Sequence, residues 1–198
     1  MGNINNILET LSKIISSIIN PFIVAAFTFG ILIYSNPSIQ TKNTLFLISF
    51  LATTILPLIT ILYFIKLGKV TSIDAPIKEQ RIQLLAIASI YHSLGFILLA
   101  YLGASPIVRG LMFCYAINTA IVWKITIYWK ISIHMVGLGG PIVALWLVGY
   151  QHPLIMAMTI ILVSISRLIL KAHTPNQIIA GIILAMGLAY LELTYLFL

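Results

Sequence analysis

Charge is scarce in this sequence. Only 8% of its 198 residues are charged and four residues are acidic, whereas 61% are hydrophobic. Soluble globular domains carry roughly 25% charged residues and about 45–50% apolar ones. The composition therefore excludes a soluble domain and indicates an integral membrane protein.

Cysteine is nearly absent as well, with Cys114 as the single example. One cysteine excludes a disulfide framework and a cysteine metal cluster, and the few carboxylates do not cluster, so we expect no metal and no cofactor. Eleven Lys and Arg residues give a net charge of +7. In so apolar a chain these cations belong near lipid headgroups, which predicts a membrane bilayer as partner and no nucleic acid, and leaves the oligomeric state open.

Hydrophobic runs of about 20 residues, the length that spans a bilayer, recur along the chain. They predict an all-α integral membrane helical bundle of six to seven transmembrane helices, forming one domain over residues 1–198. Residues 1–20 alternate apolar and polar positions at helical spacing and predict an N-terminal interfacial amphipathic helix. No cleavable signal peptide is expected. The predicted crossings are about 14–34, kinked at Asn20-Pro21, and then 44–65, 82–102, 107–123, 133–150, 154–170 and 176–197.

Counting these crossings places three polar segments on one face of the membrane, namely residues 66–81, 124–134 and 167–177. Nine of the eleven Lys and Arg residues fall on that face, and only Lys42 and Arg109 lie opposite. The positive-inside rule then predicts a protein of the cell's inner membrane with this face in the cytoplasm. The convergence of cations also predicts a site for an anionic group.

The start of the last crossing carries the most specific local pattern. Thr174, Pro175 and Gln177 fit the N-cap, first and third positions of a helix, with proline where its missing N–H costs no hydrogen bond. His173 would then lie beside the positive end of that helix, and His134 opens another helix on the same face. Helix N-termini combined with cationic side chains favour a dianionic phosphate group.

Two of these segments resemble motifs of the type 2 phosphatidic acid phosphatase family, which shares its core with the vanadium haloperoxidases. The family's third motif, S-R-x5-H-x3-D, is matched by Ser166, Arg167 and His173 at the expected spacing. Its second motif, P-S-G-H, is matched by Ser132 and His134. The resemblance covers roughly residues 66 to 198.

The family's first motif, K-x6-R-P, survives in degenerate form. Arg81 stands at the arginine position but is followed by Ile82, and Lys69 and Lys78 are the nearby lysines. The resemblance implies that Arg81 binds phosphate oxygens together with Arg167, and that Lys78 or Lys69 replaces the motif lysine.

The resemblance further implies a metal-independent phosphoric ester hydrolase. His173 would be the nucleophile that forms a phosphohistidine, His134 would protonate the leaving alcohol, and Ser132 would contact the substrate. The expected substrate is a phosphate monoester or diphosphate on a membrane lipid: phosphatidic acid, phosphatidylglycerol phosphate or a polyprenyl diphosphate.

Gln177 departs from the family pattern, because an aspartate is expected at this position. Its carbonyl can still fix the tautomer of His173 but cannot stabilise an imidazolium. Three interpretations follow: a lipid phosphatase in which Gln177 orients His173 or an acid such as Asp74 or Glu79 assists, a catalytically weakened homologue that binds or moves phospholipids, and a transferase or cyclase that uses a polyprenyl diphosphate.

Overall fold

The computed structural model describes residues 2–37 and 40–198, and within those ranges the chain is all-α. Two helices include a π-helical turn, at Leu51–Ile55 and Leu193–Phe197. Counting each turn with the helix that it continues, the helices are α1 Gly2–Ile18, α2 Pro21–Tyr34, α3 Lys42–Lys66, α4 Lys78–Tyr101, α5 Pro106–Tyr128, α6 Ile133–Leu147, α7 Pro153–Ile169 and α8 Pro175–Phe197.

Five helical stretches among the described residues are long and apolar enough to cross a membrane, and the expectation of a membrane bundle is confirmed at that level. They are Asn6–Tyr34, Lys42–Lys66, Lys78–Tyr101, Pro106–Tyr128 and Pro175–Phe197. Helices α6 and α7 are apolar but shorter, at 15 and 17 residues. At a rise of about 1.5 Å per residue, they measure less than the roughly 30 Å hydrocarbon core.

Proline marks the start of four helices. Pro21, Pro106, Pro153 and Pro175 stand in the first turn of α2, α5, α7 and α8, where the missing N–H leaves no hydrogen bond unmade. The break predicted at Asn20-Pro21 is confirmed, because Asn20 is extended and its side-chain oxygen caps the N–H of Phe22. The capping box at Thr174 is also present.

Helix α6 lies close to two neighbours because of its glycines. A Cβ on Gly139 would stand 2.5 Å from the Cβ of Ala185 in α8, and one on Gly137 would stand 2.7 Å from the Cβ of Pro21 in α2. Close approach of this kind is typical of small residues at membrane helix interfaces. It places the start of α6 against the start of α8, where Ser132 N donates to the carbonyl of Gln177 at 3.2 Å.

Helix α1 turns its polar side toward the bundle. Ser12 and Ser16 are buried, whereas Leu11, Ile14 and Ile18 on the other side are about half exposed. In water this orientation would be unfavourable, but in a membrane protein an exposed apolar face contacts lipid. The helix packs against α7 through its serine side.

The connections collect at two opposite ends of the bundle. At one end, the segments 67–77, 129–132 and 170–174 contact one another, and we call this the site end. At the other end, the Tyr150 hydroxyl donates to Ser35 Oγ at 2.8 Å, joining the connection after α6 to the end of α2. The three polar segments of the sequence therefore meet in space.

Candidate functional site

Arg167 is the centre of the polar cluster at the site end. It lies in the last turn of α7, is 2% exposed, and donates from Nη1 to Ser16 Oγ at 2.7 Å and to Asp74 Oδ2 at 3.0 Å. Its contacts reach the N-terminal helix and the α3–α4 connection. One guanidinium group thus joins parts of the chain that are far apart in sequence.

His134 opens α6 and faces the same serine. Its Nε2 lies 3.2 Å from Ser16 Oγ and 3.3 Å from the Ser16 carbonyl oxygen, and the side chain is buried. Arg167 and His134, both assigned to the site from sequence, are therefore brought together through a residue that the sequence motifs did not include.

His173 and Gln177 contact each other directly. His173 Nδ1 donates to Gln177 Oε1 at 3.1 Å, and the same oxygen accepts from the backbone N–H of Thr174 at 3.1 Å. The expected roles of Gln177 as a helix cap and as a histidine partner are thus compatible. Since a carbonyl can only accept, this contact fixes the proton of the neutral imidazole on Nδ1 and leaves a lone pair on Nε2.

The surroundings keep His173 neutral. Its pKa falls to about 3, first because burial disfavours the imidazolium and next because the positive charge of Arg81 is nearby, against the opposing effect of the hydrogen bond to Gln177. The charges of Arg167 and Lys130 lower it further. A neutral imidazole with a free lone pair is the form that a nucleophile requires.

Asp74 is the anionic member of the cluster. Burial acts to raise the pKa of its carboxyl group, but the hydrogen bond and positive charge of Arg167 outweigh burial and hold this pKa below its usual value. His134 and Arg81 act in the same direction. Asp74 therefore stays ionised beside Arg167.

Arg81 points its guanidinium at backbone carbonyls. Nε donates to Ala75 O at 2.7 Å, Nη2 to Asp74 O at 3.3 Å and Nη1 to Ile131 O at 3.4 Å. A guanidinium has five N–H donors, so donors remain for an anion. The side chain is nevertheless committed first to holding two connections together.

Three of the site residues carry a buried polar atom without a partner in the described part of the chain. Arg167 Nε, His173 Nε2 and Ser132 Oγ are all buried without a hydrogen-bond partner among the described residues. Buried polar groups are normally satisfied, and each exception requires an explanation. Within the ranges that the structure describes, Arg167 Nε and Ser132 Oγ are therefore donors without an acceptor, and His173 Nε2 is an acceptor without a donor.

The lysines expected in the site bind elsewhere. Lys78 Nζ donates to the carbonyl of Ile127 at 3.0 Å, at the C-terminal end of α5. Lys69 is exposed and its Nζ lies 5.4 Å from the ring centroid of Phe64. Neither lysine faces the arginine cluster in this structure, because a helix C-terminus and an aromatic face offer each of them a nearer partner.

Lys130 lies closer to the arginine cluster than Lys69 or Lys78 does. Its Nζ donates to Ala172 O at 3.0 Å, next to His173. Burial and then the charges of Arg81 and Arg167 lower its pKa. The sequence assigned Lys130 to the lipid headgroup region, whereas the structure places it beside the nucleophile candidate.

A cavity of about 160 Å³ lies inside the bundle beside the cluster, lined by neither Arg167 nor His173. Asp74, Arg81 and His134 line its polar end, and its apolar wall includes side chains at helical spacing on α4, Leu85 and Ala88. An engineered apolar cavity of about 150 Å³ holds a benzene-sized group. The volume therefore suits one narrow hydrocarbon segment.

Polar residues deeper in the bundle pair between helices. His92 Nδ1 lies 3.2 Å from both Tyr115 O and Thr119 Oγ1, and Asn118 Nδ2 donates to Glu192 Oε2 at 3.4 Å. These side chains serve interhelical hydrogen bonding. Glu192 is also buried, since it accepts from Asn118 inside the bundle.

Ser16 is the contact that sequence reasoning missed. Ser12 and Ser16 are one helical turn apart, and this spacing of small hydroxyl residues on an apolar helix was the available signal for a helix interface.

Comparisons of the chain with protein-family models, with curated proteins and with solved structures found no match.

Proposed function

We propose that this protein is a membrane lipid phosphatase that works through a phosphohistidine on His173. Its substrate is a phosphate monoester or diphosphate of a lipid, of the phosphatidic acid, phosphatidylglycerol phosphate or polyprenyl diphosphate type. The activity needs cationic side chains and no metal ion.

In the first step, the lone pair of His173 Nε2 forms a bond to phosphorus as the bond from phosphorus to the lipid oxygen breaks. His134 gives a proton to that leaving oxygen. In the second step, water attacks the phosphohistidine, a proton from the water returns to His134, and the P–N bond breaks to release inorganic phosphate. Arg167 and Arg81 balance the negative charge on the phosphate oxygens in both steps.

The observation that carries this proposal is the state of His173. Its Nδ1 is held by Gln177, its Nε2 is buried without a partner, and its low pKa keeps the imidazole neutral within the field of guanidinium groups. A histidine with only a packing role would satisfy both nitrogens or face solvent.

The cavity supports a lipid as the substrate. It begins at Arg81 and His134 and continues along apolar side chains of α4, so a phosphate at the cluster can be continuous with a hydrocarbon chain. Helices α3, α4 and α5, which border the cavity, are apolar and long enough to lie in a bilayer.

We also propose that α6 and α7 cross the membrane, giving seven crossings with the Asn6–Tyr34 stretch, α3, α4, α5 and α8. The connection after α6 contacts the end of α2, at the opposite end of the bundle from the start of α6. Helix α7 returns the chain to the site end, where Arg167 lies. From the excess of Lys and Arg we propose that the site end faces the cytoplasm at the inner membrane.

A phosphate-release assay tests the function. The purified protein in detergent micelles is given each candidate lipid in turn, and released inorganic phosphate is measured for the wild type, His173→Ala and His152→Ala. We expect the wild type and His152→Ala to release phosphate and His173→Ala to release none. His152 is a suitable control because it is exposed before α7, at the opposite end of the bundle. Release that survives His173→Ala contradicts the mechanism.

A second function, phospholipid binding without hydrolysis, is favoured by one contact. The Asp74 carboxylate already occupies Nη1 of Arg167, where a phosphate oxygen would otherwise bind. The same lipid panel discriminates between the two: lipid binding by the wild type without phosphate release supports the non-hydrolytic function.

A further inference from the structure

Helix α1 contributes a buried residue to the candidate site. Ser16 Oγ accepts from Arg167 Nη1 at 2.7 Å and lies 3.2 Å from His134 Nε2. The Ser16 carbonyl oxygen is 3.3 Å from the same nitrogen. Both the side chain and the main chain of Ser16 therefore contact His134.

From these contacts we infer that Ser16 is a positioning residue for His134, linking the phosphate-binding arginine to the proton donor of the reaction. The inference rests on the proposed function and goes beyond it, because neither the motifs nor the resemblance involves α1. The N-terminal helix is then part of the reaction centre in addition to its contact with lipid.

The hydrogen-bond donors and acceptors of Ser16 suit a histidine that changes its protonation state. A hydroxyl has one hydrogen and two lone pairs, and Arg167 uses one lone pair. The second lone pair and the carbonyl oxygen can each accept from Nε2–H of His134. Nε2 keeps this proton in the imidazolium and in the neutral imidazole, so the contact with Ser16 persists while the other ring nitrogen gives and later takes a proton.

These contacts also assign a separate role to each ring nitrogen of His134. Among the described residues, the hydrogen bonds of His134 are made through Nε2, so Nδ1 is the nitrogen that exchanges the proton with the lipid oxygen. The charged groups that face His134 are Arg167 from α7, Arg81 from α4 and Asp74 from the α3–α4 connection. Ser16 is the neutral group among them.

The test compares Ser16→Ala with Ser16→Thr, and uses Ser12→Ala as a matched control because Ser12 is buried on the same side of α1 one turn earlier. Each variant is assayed with the best substrate of the wild type over a range of pH. One lost hydrogen bond corresponds to about tenfold in rate and about one pH unit.

For Ser16→Ala we expect kcat to be about tenfold lower and the basic limb of the pH–rate profile to shift to lower pH. KM should change little, because Arg167 keeps its contact with Asp74. Ser16→Thr retains the hydroxyl, so its kcat and its pH–rate profile should be close to those of the wild type. Ser12→Ala should also resemble the wild type.

A Ser16→Ala protein with an unshifted pH profile, or one indistinguishable from Ser12→Ala, overturns the assignment while the phosphatase proposal stands. A wild type that releases no phosphate from any lipid overturns both.

Discussion

The side-chain oxygen of Gln177 lies 3.1 Å from Nδ1 of His173 and 3.1 Å from the backbone nitrogen of Thr174. The same atom therefore caps α8 and orients the proposed nucleophile. Because the oxygen is a neutral carbonyl, it fixes the position of a proton without stabilising a positive charge on the imidazole.

Replacing Gln177 with glutamate should raise the rate of phosphoenzyme formation. The carboxylate keeps the geometry of the amide and adds the charge that supports an imidazolium-like transition state. Loss of an orienting aspartate costs a serine protease about 10⁴-fold in kcat, part of which is a wrong tautomer that glutamine avoids, so we expect a gain of roughly tenfold. Rapid-quench measurement of the phosphoenzyme checks this, with Gln177→Asp testing the reach of the shorter chain. A folded Gln177→Glu protein with no gain would show that Gln177 is only a helix cap.

Acid should destabilise the protein partly through His173. Its pKa of about 3 lies below the value of about 6.5 for an unfolded histidine, so between these values the unfolded state binds the extra proton. Stability from this group is present above pH 6.5 and is lost as the pH falls toward 3. The Tm measured in detergent should decrease less between pH 7 and pH 5 for His173→Gln, which does not titrate, than for the wild type. Equal decreases would indicate that the pKa of His173 in the folded protein is close to its unfolded value.

Replacing Asp74 with asparagine should tighten the binding of inorganic phosphate. The substitution removes the carboxylate that competes for Nη1 of Arg167, and we expect a several-fold lower inhibition constant for phosphate. Glu79→Gln is the control, since Glu79 is exposed and contacts Lys78 at 3.7 Å. Weaker phosphate binding by Asp74→Asn would mean that the carboxylate holds Arg167 in its binding position.

Chelation should leave the activity intact. Two guanidinium groups supply the charge neutralisation in the proposed mechanism. Phosphate release in excess EDTA should equal release in untreated protein, with added Mg²⁺ as the complementary measurement. Loss of activity that Mg²⁺ restores would require a metal and a different mechanism.

Cysteines introduced singly at Lys69, Lys130 and Lys171, in a Cys114→Ala background, should react with an impermeant reagent from one side of the membrane. The contacts at the site end predict this, since Lys130 binds the carbonyl next to His173. A cysteine in place of Lys42, before α3 at the other end, should react from the opposite side. Labelling of the Lys130 and Lys171 positions from different sides would break the proposed topology.

The helices were readable from sequence because apolar length and first-turn prolines are local signals. Asn20-Pro21 and Thr174-Pro175 marked helix starts that the structure contains. The pairing of Gln177 with His173 was also foreseeable, because the side chain at the third position of a helix reaches back to the residues around its N-cap. Local chemistry thus defined much of the last motif.

The remaining contacts depend on tertiary packing. Ser16 and Arg167 are 151 positions apart, and no local pattern brings them together. Lys78 and Lys69 were assigned by analogy of spacing, yet a lysine chain is long and takes the nearest carbonyl or ring. The orientation of α1 was hidden because an amphipathic pattern does not reveal whether its polar side meets water or protein.

Arg81 sets the distance between two connections of the chain. Its planar group reaches carbonyls of Asp74 and Ala75 on one side and of Ile131 on the other. Ala75 has a φ of 40°, a conformation that costs an L-residue energy, and its carbonyl accepts the shortest of these bonds. A lysine here would keep the charge but, as a single point donor, could not join the same three carbonyls. The spacing of the two connections beside the cavity is therefore fixed by the shape of one guanidinium group, and the same group forms part of the cavity wall.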